Sequence, residues 1–367
     1  VKESRAAASL TLTIDLGALA RNFERLAERA APAECAAVVK ADAYGIGIEH
    51  AVPALSAAGC HTFFVALPAE GLRVRAVAPD AAIYVLGGFF AEAAEAYLAA
   101  DLRPVTNHAG ELDAWIRAGA GRPAALHVDT GMNRLGFSPD EALGLAGSPR
   151  LTQAGIALLM SHLACADEAG HAKNADQLAL FKELRQAFTG VPASLANSAA
   201  IALGPDFRFD MVRPGIALYG GTRAADPALE VVVTATARVL QVRTVAAGQT
   251  IGYGASYKFQ RPSRVAILAA GYADGYHRAA GASGERAGAD VFIAGHRAPL
   301  TGRVSMDLMA ADVTDISTTI RPGDRAELFG PNISVEEVAA AAGTISYELL
   351  TALSRRAARR YTGGRSS

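Results

Sequence analysis

Lys40 is the residue of this chain best placed to do chemistry. It follows the apolar run Cys35-Ala-Ala-Val-Val39 and opens the loop Ala-Asp-Ala-Tyr44-Gly. An amine at the end of a buried strand loses solvation, which lowers its pKa toward the range of a nucleophile or a base. Taken alone, a lysine there is more often a solvated rim residue. Later apolar runs end in the same way, at Asp129 and Arg134, His162, Asn197 and Ser198, and Arg213. These residues bring an amine, an imidazole and two guanidiniums, with no cluster of carboxylates. They speak against metal-dependent hydrolysis, so no metal is expected, and they lack the paired acids of glycoside chemistry. They suit an anionic cofactor attached to an amine. Each residue alone can be a rim hydrogen bond, the reading favoured for Asn197. The convergence of so many suitable types is what makes a site.

Something must bring these strand ends together. Asp15 can cap a helix whose apolar positions Leu16, Leu19, Phe23 and Leu26 recur at helical spacing. Short apolar runs then fall near 35–39, 62–67, 82–87, 103–106, 124–128, 156–161, 193–197 and 209–212, most followed by amphipathic stretches such as 111–118 and 176–188. Strands alternating with helices in this number predict a (β/α)8 barrel of the TIM type, whose site is built at the C-terminal strand ends. No GxGxxG follows the first strand, which argues against a doubly wound dinucleotide fold. Beyond residue 230 the texture becomes β-branched and alternating, at 231–242, 264–268, 290–293 and 324–329, with Gly and Pro turns between. A helix-like stretch broken at Gly343 is expected from Ser334 to Arg360. The fold class is therefore α/β, a barrel over 15–229 with a mostly-β domain over 230–367. The early strand 10–14, which has no barrel partner, is expected to join that second domain.

Composition bounds the function. At 367 residues with 51% hydrophobic and 19% charged residues, the chain can bury two cores. A net charge of −1 offers no electrostatic footprint for nucleic acid or an anionic membrane. No apolar run has the length of a membrane span, and Val1-Lys-Glu-Ser lacks a signal-peptide pattern; the absence of Met at position 1 points to a clipped N-terminus. Cys35, Cys60 and Cys165 have no CxxC spacing and sit in apolar contexts. They read as buried free thiols in a reducing compartment, so the expected location is cytoplasmic.

The segment VVKADAYG closely resembles the one that holds pyridoxal phosphate in bacterial alanine racemases. The likeness to this fold-type III family continues through VDTGMNRLGF (128–137), SHLACAD (161–167), ANSAA (196–200) and RPGIALYG (213–220). It extends through IGYGASY (251–257), GYADG (271–275), TGRVSMDLMAADVTD (301–315) and RRYTGG (359–364), in order and in spacing over essentially the whole chain.

The resemblance implies pyridoxal 5′-phosphate as cofactor, alanine as substrate and a two-base racemisation that supplies D-alanine for peptidoglycan precursors. Lys40 would hold the cofactor as a Schiff base and act as one base; Tyr253 would be the other, on the opposite face of the α-carbon. Tyr44, Ser198, Gly215, Ile216 and Tyr361 match the phosphate-contacting positions. Arg213 would face the pyridine nitrogen; because it only donates, that nitrogen should stay unprotonated. A tyrosine with a free pKa near 10 needs cationic neighbours to act as a phenolate, and His162 and Arg213 match the residues that form such a chain. Arg134 and the backbone of Met306 match the substrate-carboxylate positions, and Tyr272 with Tyr361 those that narrow the entrance. In the family the tyrosine reaches across from a second subunit, which implies a homodimer with composite sites.

Two departures stand out. Where many members carry a lysine, often carbamylated, that buttresses the arginine, this chain has His127, which cannot form a carbamate. Ile46 replaces a common histidine. Three other readings compete. A racemase of broader specificity differs only by turnover on other amino acids. A single-barrel pyridoxal phosphate carrier lacks the second domain. Decarboxylases of this fold bring a cysteine in the C-terminal domain, whereas all cysteines here precede residue 166.

Overall fold

The computed structural model describes residues 8–119, 121–222 and 225–364. They fall into two compact units: one comprises Ala20–Ala43 and Gly47–Leu218, and the other holds the N-terminal strand, Tyr44–Ile46 and the chain from Tyr219 onward.

The N-terminal strand is β1 (Leu10–Asp15), and the helix Leu16–Ala30 follows it directly. Asp15 Oδ1 accepts the Ala18 N–H at 2.9 Å, and Leu16, Leu19, Phe23 and Leu26 form the buried stripe. The first unit is a parallel barrel of β2 (Glu34–Cys35), β3 (Ala37–Val38), β4 (Thr62–Val65), β5 (Ala82–Val85), β6 (Leu102–Thr106), β7 (Ala124–His127), β8 (Ile156–Met160), β9 (Ala193–Asn197) and β10 (Met211–Arg213). Neighbours run in the order β2-β10-β9-β8-β7-β6-β5-β4-β3. β2 and β3 are halves of one strand interrupted at Ala36. The first half pairs with β10 (Met211↔Glu34, Val212↔Cys35) and the second with β4 (Ala37↔Phe63, Val38↔Phe64). That strand closes the ring, and the (β/α)8 expectation holds. Parallel strands covered on both faces read as continuous apolar runs rather than alternating ones, and Phe63, Phe64, Val65, Ala125 and Leu126 are accordingly buried.

The second unit is built around β11 (Val233–Val245), whose alternation in its first half gives one buried face. That half pairs antiparallel with β1 and with β18 (Arg325–Phe329), and the other half pairs with β14 (Ser263–Leu268), after a bulge between Val239 and Gln241. β15 (Asp290–Ile293), β16 (His296–Pro299) and β17 (Met309–Asp312) complete this sheet with β19 (Ala358–Thr362), which runs parallel to β1. A small hairpin, β12 (Thr250–Ile251) and β13 (Tyr257–Lys258), stands on the cluster Val245, Phe259, Val265 and Ala310.

The tail corrects one expectation. Ser334 caps the helix Val335–Ala342 by accepting the Glu337 N–H at 3.1 Å, and Gly343 ends it at φ +69°. Ser346–Thr351 is a second helix, but 358–362 is strand β19 and not helix. The pairing of Tyr361 with Ile14 and Thr362 with Asp15 overrides the helical look of the Arg-rich stretch before it.

Candidate active site

Lys40 follows the buried Val39 directly, and the chain then turns the wrong way. Ala41, Asp42, Ala43 and Tyr44 all have φ between 51° and 57°, a left-handed turn without a single glycine. Left-handed residues with a side chain cost about 1–2 kcal/mol each, so these four store about 4–8 kcal/mol. Such strain persists only where the surroundings over-determine it. Here Ala41 N–H donates to Glu70 Oε1 at 2.7 Å, Ala43 N–H to the Val39 carbonyl at 2.9 Å, and Gly47 N–H to the Asp42 carbonyl at 2.8 Å. Burial, then the nearby Arg134 charge, lower the Lys40 pKa, while Glu70 opposes them.

The remaining barrel candidates gather around that amine. Arg213, at the end of β10, is 4% exposed, and its guanidinium donates to Ser194 Oγ and, at 2.7 Å, to the Ser161 carbonyl. It lies 5.9 Å from the centre of the Phe64 ring. None of these partners is anionic. His162 follows β8 and is pushed down to about 3 by burial, then by the charges of Arg213, Arg134 and Lys40. His127 ends β7 and is lowered to about 4, by burial first and then by Arg213. Both imidazoles are neutral at neutral pH. His127 Nδ1 lies 2.8 Å from Asn107 Oδ1. The Asn107 amide nitrogen is already donating to the Val105 carbonyl at 2.9 Å, so its oxygen accepts and His127 carries its proton on Nδ1. Arg134 itself is exposed, on a loop closed by Phe137 N–H to the His127 carbonyl at 2.8 Å. Asp129 spends its carboxylate on shaping that loop, accepting Gly131 and Met132 N–H, each at 2.8 Å.

Beyond β9 and β10, Ser198 Oγ accepts the N–H of Gly215 at 2.8 Å and of Ala217 at 3.2 Å, so backbone donors converge there. Ile216 is buried beside them. Barrels commonly bind phosphate at the loops after the seventh and eighth strands, which β9 and β10 are. Asn197 has only a local role, accepting the Ala200 N–H at 3.0 Å.

The other candidates belong to the second unit. Tyr253 sits in the tip of the β12–β13 hairpin between Gly252 and Gly254, both at φ +74°, and is 72% exposed. Met306 is 52% exposed, and its carbonyl accepts the Ala273 N–H at 3.0 Å, tying its loop to that of the exposed Tyr272. Gly271 is obligatory in this approach, since a Cβ there would lie 2.3 Å from the Ser305 and Met306 carbonyl oxygens. Tyr44 is buried and stacks on Tyr219 at 4.5 Å. Tyr361 donates its hydroxyl to the Ile46 carbonyl at 2.7 Å, so contact with a phosphate would first have to break that bond.

Sequence reasoning missed the supports. Asn107 satisfies the same strand-end rule as the chosen residues, standing one position past β6. Gln177, 1% exposed in the helix Ala172–Ala187, donates to the His162 carbonyl at 3.0 Å and to Thr130 Oγ1 at 3.1 Å. A fully buried glutamine on a helix is a visible signal only once the helix register is known. Glu70 is likewise an ordinary helix-start acid until the structure shows it reaching Ala41.

Lys40, Arg134 and Arg213 carry positive charge at one set of strand ends, and among the described residues no carboxylate forms an ion pair with any of them. With the amides at Ser198, these donors fit an anionic, amine-linked cofactor. A barrel with this site, followed by a β domain, defines a class of two-domain barrel enzymes that use an anionic cofactor. The family description "Alanine racemase, N-terminal domain" matches residues 14–223, and "Alanine racemase, C-terminal domain" matches 232–361. The chain is 50% identical to the alanine racemase of Rhizobium meliloti (strain 1021), with 97% of this chain and 98% of that protein covered. It is 52% identical to the alanine racemase of Methylobacterium sp. (strain 4-46), with 95% and 97% covered. The crystal structure of alanine racemase from Bartonella henselae with covalently bound pyridoxal phosphate superposes with a TM-score of 0.90 at 40% identity, over 96% of this chain and 99% of that one. The chain belongs to the alanine racemase family.

Proposed function

We propose that this alanine racemase, which is pyridoxal-phosphate-dependent and interconverts L- and D-alanine, works with Lys40 and Tyr253 as its two bases. The observation that carries the assignment is the uncompensated positive charge of Lys40, Arg134 and Arg213 at one set of strand ends. When bound, pyridoxal phosphate withdraws electrons from the substrate's α-carbon and so acidifies its hydrogen. Lys40 anchors the cofactor and, once released, moves a proton on one face; burial and the Arg134 charge lower its pKa, which eases loss of its proton. Tyr253 Oη exchanges the proton on the other face. Arg213 holds the ring nitrogen by donating to it and cannot accept a proton from it. His162 and Arg213 form the chain that serves Tyr253 in this reading, with Arg213 as its charge, because His162 is a neutral imidazole rather than the cation the resemblance implied. Arg134 and the Met306 backbone hold the substrate carboxylate. Ser198, Gly215, Ile216, Tyr44 and Tyr361 take the phosphate. Tyr272 and Tyr361 narrow the entrance. The product D-alanine supplies peptidoglycan precursors.

The enzyme is a homodimer in this reading, and the exposure of Tyr253 at a hairpin tip supports its reaching a second copy. Mixing subunits tests it. Lys40→Ala and Tyr253→Ala enzymes should each be inactive, and a mixed dimer should regain one working site only if the two bases come from different subunits. The chain is read as two domains, 15–229 and 230–367 with the strand at 10–14. No helix among the described residues is long and apolar enough to cross a membrane. The free thiols of Cys35, Cys60 and Cys165 suit a cytoplasmic location. Turnover measured across L-Ala, L-Ser, L-Lys and L-Arg tests the substrate: alanine should dominate, and comparable rates on serine would make this a racemase of broader specificity.

A further inference from the structure

The left-handed turn after Lys40 is a strained segment whose supports come mainly from one helix. Glu70, in the first turn of the helix Pro68–Val77, accepts the Ala41 N–H at 2.7 Å with one oxygen and, with the other, the Ala66 and Leu67 N–H groups at 2.9 and 3.2 Å. One carboxylate therefore joins the loop after the first barrel strand to the loop after the second. Arg73, three residues on and hence on the same helix face, bonds Asp42 Oδ1 at 2.5 Å and both Glu49 oxygens at 2.6 and 2.7 Å. Asp42 Oδ1 also accepts the Ile48 N–H at 3.2 Å. These bonds fix the residues on the C-terminal side of Lys40, and burial of Val39 fixes its N-terminal side.

From this geometry we infer that Glu70 and Arg73 are positioning residues for Lys40: they clamp the turn and so fix the direction from which its amine works. The inference rests on Lys40 being the cofactor-bearing amine. An amine that must let go of its cofactor and return to the same point gains from a backbone that does not relax in between, because misplacement of a reacting group lowers the rate without weakening binding.

Glu70→Asp is the discriminating variant. It keeps the charge at the helix start and shortens the reach by one bond, about 1.5 Å, which removes the Ala41 contact. In the full-length holoenzyme, the Ala41 and Ala43 amides should exchange with deuterium about tenfold faster or more. The kcat should fall by a similar factor while KM for alanine stays within about twofold. Arg73→Gln should move both readouts in the same direction by releasing Asp42. Unchanged exchange at Ala41 and Ala43 would overturn the clamp. Faster exchange with unchanged kcat would overturn its role in positioning, as would a fall in kcat matched by a rise in KM. Borohydride trapping and peptide mapping of the wild-type enzyme keep the underlying reading separate: cofactor fixed on another lysine would sink the Lys40 assignment, whatever the exchange data show about the turn.

Discussion

Acidification should destabilise this enzyme through two particular rings. His127 and His162 have folded-state pKa values of about 4 and 3, against 6.5 for a free imidazole. Both are depressed, so the unfolded chain binds more protons than the folded one once the pH drops below 6.5. The stability tied to the two neutral rings is complete above that pH and is lost as pH falls toward the folded values. At pH 5 both folded rings are still neutral while their unfolded counterparts are almost wholly protonated. Each ring then costs about 2 kcal/mol relative to pH 8, and the pair up to about 4 kcal/mol. Desolvation is the leading cause for both rings, so a bound anion that offsets the push of Arg213 and Arg134 reduces the effect without abolishing it. The assay is urea unfolding at pH 8 and pH 5 for the wild type and for a His127→Gln, His162→Gln double variant. The double variant should lose less stability on acidification, and its unfolding at pH 5 should take up about two fewer protons. NMR of labelled histidines reads the rings directly. A midpoint near 6.5 for either ring, or identical pH slopes for the two proteins, would refute the reasoning.

Lys40→Ala should abolish both the visible absorbance of the cofactor linkage and racemisation, with loose cofactor binding left to the phosphate contacts; label trapped on Lys173 or Lys258 would move the site. Tyr253→Phe should keep the Lys40 linkage and lose about 10²–10⁴ in racemisation rate. Solvent-deuterium exchange into the variant should stay faster from D-alanine, the enantiomer that Lys40 serves by family analogy, and equal exchange of both enantiomers would rule out two bases. Activity should not depend on added bicarbonate, and mass analysis should find no carbamate at His127; activity lost on removing dissolved CO2 and regained on its return would point to a carbamylated lysine elsewhere.

The barrel was legible because its strands are short apolar runs at regular spacing, and the strand-end rule then placed Lys40, His162 and Arg213 without structural help. What stayed hidden depends on partners far along the chain. Ala-Asp-Ala-Tyr contains no glycine to announce a positive φ; the turn is imposed by Glu70 and Arg73, about thirty residues away in sequence. β19 escapes sequence reasoning because Arg359 and Arg360 close the helix-favouring run Arg-Arg-Ala-Ala-Arg-Arg (355–360), and only β1, more than three hundred residues earlier, makes that segment a strand. The hairpin that carries Tyr253 has two-residue strands, too short for alternation to register. The replacement of a lysine by His127 was visible, but its proton position was not. That follows from Asn107, whose own amide is committed to Val105.

The charge distribution explains why neutral imidazoles belong in this site. Arg213 spends its hydrogen bonds on the hydroxyl of Ser194 and the Ser161 carbonyl, both uncharged, so its positive charge stays available to the site. Burial lowers Arg213 only to about 10, which leaves it charged at neutral pH. That charge, with Arg134, helps hold His127 and His162 unprotonated, and Arg134 also lowers the pKa of Lys40. In the proposed two-base mechanism, an imidazole titrating near neutrality would be a third acid–base group, able to deliver a proton where neither Lys40 nor Tyr253 directs it. Burial is the first cause that removes that competitor, and the charges of the buried Arg213 and the exposed Arg134 add to it while also drawing in an anionic cofactor. Cofactor attraction and the neutrality of the two rings thus share the Arg213 and Arg134 charges, on top of the burial that acts first on the rings.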